Sequence, residues 1–245
     1  MLGSRRIFGS LVGVLFVYLA WAADAQSAPH VDEENHFSAQ VPDGWYPIQP
    51  SLIDALDQQM DEQVPNKRFR FVGGYSTSPE GAMTYPYVLF QVTNGPMNRT
   101  TEAELVRSFN AKTWKEDVAD RTKALSNLKD FDLEAAYDPV ERRIVMPISG
   151  DVPGIGPLRG LSVGHVGSHG IVQINCYAQA SEFDAVMPTF QKWIDGMEID
   201  ADYRWEPGSA GPIDWQEVGW VALIGTIAGG LYGLFVARRR RSAKE

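Results

Sequence analysis

LRGLSVGHVGSHGIVQINCYA (residues 158–178), followed by FDAVMPTFQKWI (residues 183–194), decides the fold of this chain. In the first stretch, Leu158 to Val166 and Ile171 to Ala178 are apolar-rich runs flanking Gly167-Ser168-His169-Gly170, which predicts a β-hairpin. In the second, Phe183, Val186, Met187, Phe190, Trp193 and Ile194 recur at the i, i+3, i+4, i+7 spacing of an amphipathic helix. Ser181 and Asp184 supply a cap pattern, and Pro188 is expected to bend the first turn. Met197 to Ile199 then reads as a short closing strand.

Upstream, Leu133 to Tyr137 and Arg142 to Ile148 flank Asp138-Pro139-Val140-Glu141 as another hairpin, and Asp151 to Pro157 is a Pro/Gly-rich loop. Thr101 with Glu104 makes a capping box for a helix through Phe109 and Trp114, and a second helical stretch spans Val118 to Leu128. Lys67 to Tyr75 and Tyr85 to Thr93 alternate as strands, and Asn94-Gly95-Pro96 closes the latter. Ser51 is placed to cap a helix carrying Leu52, Ile53, Leu56 and Met60 on one face. His36 to Gln40 alternates into Val41-Pro42-Asp43-Gly44-Trp45, a strand ending in a turn. The order predicts an α+β fold, an antiparallel sheet with flanking helices.

The two ends set the topology. Arg5 and Arg6 precede an uncharged run of 17 residues, Ile7 to Ala23, and Ala23-Asp24-Ala25 provides a small-x-small cleavage pattern. Residues 1–25 thus read as a signal peptide cleaved before Gln26, the alternative being an uncleaved signal anchor. Ser4-Arg5-Arg6-Ile7-Phe8 also fits the start of a twin-arginine export signal. Val218 to Ala237 is 20 residues without a formal charge, and a helix of that length matches the hydrocarbon core of a bilayer. Trp215 and Trp220 mark its outer edge. Arg238, Arg239, Arg240 and Arg241 follow at once and are expected to stay cytoplasmic. The expected organisation is a flexible leader (26–35), an extracytoplasmic domain (36–200), a linker (201–217), a single transmembrane helix (218–237) and a cytoplasmic tail (238–245). Bacterial inner membrane is the expected location. Gly225, Gly229 and Gly233 form two overlapping GxxxG patterns, a helix-packing face for self-association or another membrane protein.

Charge separates along these boundaries. The chain carries a formal net charge of −9; the ends outside residues 26–217 contribute +5, leaving −14 on the exported part. Such a surface repels phosphates and excludes nucleic acid as a partner. Cys176 is the sole cysteine, which excludes an internal disulfide, and its place in an apolar alternation reads as core.

With Val41-Pro42-Asp43-Gly44-Trp45, the late meander and the final helix–strand pair in place, the chain resembles the PsbP-like α/β/α sandwich family over about residues 36–200. That resemblance implies binding or assembly rather than catalysis, and it carries over no catalytic residue. The C-terminal membrane helix is a departure from it.

Several constellations have residue types that could carry chemistry. His165 and His169 have HxxxH spacing, but the surrounding glycines favour a hairpin over a metal-binding helix. Asp195, Glu198, Asp200 and Asp202 form an acidic run without an EF-hand pattern. Gly154-Ile155-Gly156 lacks the third glycine of a dinucleotide fingerprint, and no H-E-x-x-H stretch exists. Asn98-Arg99-Thr100 is a formal glycosylation sequon. Trp45, Tyr46, Tyr75, Tyr85 and Tyr87 read as core or as an aromatic binding face. No catalytic, cofactor-binding or metal residue is assigned, and no cofactor is expected. The functional expectation is a non-enzymatic envelope module that contacts another membrane or envelope protein or itself. The alternative is a small-ligand or metal binder, or an enzyme whose site is assembled from scattered residues.

Overall fold

Every residue from Ile171 to Ala178 is buried, polar ones included, and that run is the strand at the centre of the molecule. The computed structural model describes residues 28–63, 68–94, 102–103, 129–133, 135–152 and 155–206. In chain order the strands are β1 (His30–Asp32), β2 (Phe37–Ala39), β3 (Tyr46–Pro47), β4 (Phe69–Ser76), β5 (Tyr87–Asn94) and β6 (Lys129–Leu133). They continue as β7 (Ala136–Asp138), β8 (Arg143–Val152), β9 (Gly156–Gly167), β10 (Gly170–Gln179) and β11 (Met197–Ile199), with helices α1 (Pro50–Gln63) and α2 (Phe183–Asp195). One sheet runs β3-β4-β5-β10-β9-β8-β6, with β7 also on β8, and a second runs β1-β2-β11. All pairings are antiparallel, so the α+β expectation stands.

Strand alternation explains the burial. Val88, Phe90 and Val92 of β5, with Val172, Ile174, Cys176 and Ala178 of β10, face α2 and the small sheet. Tyr87, Leu89 and Tyr177 point the opposite way and pack with Ile53, Leu56 and Met60 of α1. A strand covered on both faces has no solvent side, so it is not restricted to alternate apolar positions. On the α1-side face, polar groups satisfy one another. Gln173 Nε2 donates to Ser162 Oγ at 2.8 Å, and Gln91 Nε2 donates to Gln173 Oε1 at 3.2 Å.

Both predicted hairpins form. Gly170 pairs with Gly167 and Asp138 with Arg143, leaving Ser168-His169 and residues 139–142 as the turns. A Cβ at Gly170 would collide with the carbonyl oxygen of Thr93 on β5, so glycine is required for the hairpin to lie against its neighbour. Gly44, at φ +78°, makes the turn that swings Trp45 inward. Trp45 meets Trp193 edge-on, with ring centroids 5.8 Å apart. β4 carries a register shift between Phe71 and Gly73, a bulge the sequence did not announce.

Four expectations are corrected. His30–Asp32 lie in the polar leader yet pair with β2, because His30 stacks on Phe90 with centroids 4.7 Å apart. Residues 201–206 fall within the expected linker, but Ala201–Tyr203 form a 3₁₀ turn and Trp205 is buried. α1 starts at Pro50, so Ser51 sits inside it; proline suits the first helical position because it has no N–H to satisfy. α2 is preceded by Glu182 and makes no side-chain cap hydrogen bond. Among the described residues no helix is long and apolar enough to cross a membrane. Residues 1–25 and 218–245, the helices expected over 101–128 apart from 102–103, and Asn98 lie outside the described residues.

Candidate functional site

Three turns converge at one end of the small sheet. The β1–β2 turn brings Glu34, Asn35 and His36, the β9–β10 hairpin brings His169, and the 3₁₀ turn brings Tyr203, around a cleft of about 290 Å³. His36 adopts φ +57°, a left-handed conformation that a tight turn imposes on a non-glycine residue. Its carbonyl accepts the Asp200 N–H at 2.9 Å, and the Tyr203 carbonyl accepts the Ser168 N–H at 2.8 Å. These backbone bonds, with a bridge between Gly167 and Arg204, stitch the 3₁₀ turn to both hairpins.

The rings follow from that stitching. His36 stacks face to face on Tyr203, with centroids 3.3 Å apart and planes 11° from parallel. His169 tilts against the same tyrosine at 5.1 Å, and its Nδ1 lies 2.8 Å from Ser168 Oγ. Asp200 Oδ2 lies 3.6 Å from His36 Nδ1, an ion pair when the imidazole is protonated. Asp200 therefore serves His36 rather than the Ser168–His169 pair. A nucleophile, its base and a group orienting that base are not strung together here. The arrangement suits binding: two imidazoles, a phenol face and a carboxylate around an open recess.

A second recess, about 620 Å³, lies between β1, the start of α1 and β4. Asp32, Glu33, Glu34 and Asp54 line it, with Arg70 the one Lys or Arg among the described residues that do. Arg70 Nη2 already donates to Glu34 Oε1 at 2.6 Å and to Asn35 Oδ1 at 2.9 Å.

The histidines of the HxxxH spacing separate. His169 joins the cleft, whereas His165 pairs across β9 with Arg143 of β8. Burial first, then the Arg143 charge, pulls the His165 imidazole down to about 4, against an opposing pull from Asp195. Members of the acidic run find separate partners: Asp195 lies 3.7 Å from Arg143 Nη1, and Asp200 faces His36. Among the described residues, no three His, Cys, Asp or Glu side chains are grouped to hold a metal ion. Cys176 is buried, which pushes its thiol well up.

Of the five aromatics, Trp45 and Tyr87 are buried, Tyr75 and Tyr85 partly so, and Tyr46 is exposed. Tyr85, Tyr87 and Tyr177 form a row with neighbouring centroids 5.0 and 5.1 Å apart, and burial raises all three phenols, Tyr85 to about 12. That row is core, not an open face.

Gly160-Leu161-Ser162-Val163-Gly164 has the G-x-S-x-G spacing of a nucleophile elbow, which the sequence reading missed. An elbow needs a sharp strand-to-helix turn that exposes its serine. Here all five residues lie inside β9 and Ser162 is fully buried beneath Gln173, so the match is structural. Ser126-Asn127-Leu128-Lys129 has S-x-x-K spacing, with Ser126 outside the described residues. The cleft itself escaped sequence reading because its members come from positions 34–36, 168–169 and 200–203.

No protein-family model and no curated protein matches the chain. Among solved structures it is similar to cyanobacterial PsbP (CyanoP) from Synechocystis sp. PCC 6803, with TM-score 0.45 and 10% identity over 70% of this chain and 91% of that one. It is also similar to LpqN, involved in cell envelope biogenesis of Mycobacterium tuberculosis, with TM-score 0.40 and 17% identity over 71% and 90% of the respective chains.

Proposed function

We propose that this chain is a membrane-anchored, extracytoplasmic, non-enzymatic module whose α+β domain contacts another membrane or envelope protein. In this reading Val218–Ala237 spans the inner membrane, Arg238–Arg241 hold the tail in the cytoplasm, and the Gly225, Gly229 and Gly233 stripe packs a second helix. The observation that carries it is where the polar chemistry lies. In the interior, Gln91, Gln173 and Ser162 bond to one another. The two recesses open outward, the larger one beside the exposed carboxylates of Glu33 and Asp54. A surface of this kind favours a partner's side chains over an enclosed substrate.

The test is crosslinking in intact membranes, purification through a C-terminal tag and mass spectrometry. A specific partner, or a ladder of self-linked species, supports the reading. An uncrosslinked monomer overturns it. Gly229→Ile should lower association in a membrane two-hybrid assay if the stripe packs a helix, and an unchanged signal removes the stripe from the proposal.

A second reading rests on the cleft between His36, His169 and Tyr203, which sets a few polar groups beside Val92, Ile171 and Val172, as small-ligand sites do. A ligand screen by thermal shift, repeated on His169→Ala, separates the two. A hit lost in the variant favours a ligand binder.

A further inference from the structure

We infer that the groove between β1 and β4 receives an extended, Lys/Arg-bearing peptide segment of a partner protein, laid alongside β1 as an added strand. The inference rests on the protein-binding reading above and names the partner's chemistry at one surface. Three observations converge on it.

The first is an open strand edge. Among the described residues β1 pairs only with β2, so one edge of His30–Asp32 is not in a ladder. Val31 in its middle is 59% exposed, one of few large apolar side chains left in water. Unpaired strand edges are templates for another strand, and main-chain hydrogen bonds then supply sequence-independent affinity.

The second is a contrast across the groove. β4 is closed where β1 is open. Asp57 of α1 accepts the Phe71 N–H at 3.0 Å, and Gly74 accepts the Ile48 N–H at 2.9 Å. The bulge between Phe71 and Gly73, in the pairing with β5, bends β4 at this point. An incoming strand therefore has one edge to join, and joining it fixes its position. The buried Ile48, Ile53 and Phe71 form an apolar floor that alternate side chains of the peptide can meet.

The third is charge. Asp32, Glu33, Glu34 and Asp54 line the groove, and the Arg70 guanidinium opposite them is already held by Glu34 and Asn35. Glu33 and Asp54 are exposed. Basic side chains complement this lining, while an acidic peptide would be repelled. The groove thus specifies an extended backbone, apolar residues on one side and Lys or Arg on the other.

The test uses the full chain in detergent and a short acetylated, amidated peptide alternating Lys and Val, with binding followed by fluorescence anisotropy. The Lys-Val peptide is expected to bind, and its Glu-Val counterpart is not. N-methylation of alternate peptide amides on the pairing side should abolish binding, because it removes the strand hydrogen bonds. Glu33→Lys combined with Asp54→Lys should weaken binding by roughly tenfold or more, with an unchanged circular dichroism spectrum. Equal binding to that double variant, or indifference to N-methylation, overturns the proposal.

A photocrosslinker at Val31 in intact membranes separates this proposal from the broader reading. Capture of a partner from Val31 supports both. A partner crosslinked elsewhere on the chain but never from Val31 sinks the groove and leaves the reading standing. No crosslinked species at all sinks the reading, and self-linking at Val31 makes the groove a homotypic contact instead.

Discussion

Gly170 and His165 show how single residues set terms for the structure around them. With a Cβ at Gly170 directed into the Thr93 carbonyl oxygen, Gly170→Ala must push β10 away from β5 or distort the hairpin. We expect a loss of roughly 3 kcal/mol, read as a lower urea midpoint by tryptophan fluorescence. His165 contributes to acid stability. Its imidazole is held at about 4 in the folded chain, against a usual 6.5. Between those values the unfolded chain takes up a proton that the folded chain refuses. Its contribution is therefore intact above about pH 6.5, declines as pH falls toward about 4, and levels off below. His30 is displaced in the same direction, chiefly by burial and against Asp32. His165→Gln should flatten the slope of stability against pH in that window, measured by urea titrations at several pH values. At this scale the sequence was readable where covalent chemistry decides, as with Gly44 in its turn. It was silent where a neighbour decides, since nothing near His165 in the chain foretells Arg143 across the ladder or Asp195 at the end of α2.

α1 and α2 cover opposite faces of the large sheet, and each does something beyond covering. Trp193 of α2 is fully buried and touches Trp45, Tyr75 and Phe90, joining the N-terminal turn, β4 and β5 through one side chain. Trp193→Ala should cost about 3–5 kcal/mol, seen as a lower melting temperature by circular dichroism. α1 also guards an edge, because Asp57 accepts the Phe71 N–H that a foreign strand would otherwise reach. Asp57→Ala should cost about 1–2 kcal/mol and raise aggregation in light scattering, since the β4 edge is then open. The apolar faces of both helices were legible from spacing, because helix period depends on local sequence. Their caps were not, and neither was β1, whose three residues have too little pattern of their own and owe their place to His30 against Phe90. The bulge in β4 was equally hidden, since register is a property of a pair of strands.

At the scale of the whole molecule, topology is the most direct claim to test. A reporter fused after Glu245 is expected to behave as cytoplasmic, with alkaline phosphatase silent and a fluorescent protein bright; a periplasmic signal there would reverse the proposed orientation. The sequence by itself determined the α+β class, both hairpins, the apolar faces of α1 and α2, and the burial of Cys176. These depend on periodicity and turn chemistry, which act over a few residues. Tertiary structure alone decided that His30–Asp32, Phe37–Ala39 and Met197–Ile199 form a separate sheet. It alone joined positions 34–36, 168–169 and 200–203 into one cleft and drew residues 201–206 into the domain. The physical reason is that a cleft or a sheet is a property of segments brought together across many residues, and pairing energies between distant strands leave no trace in the local pattern of either one.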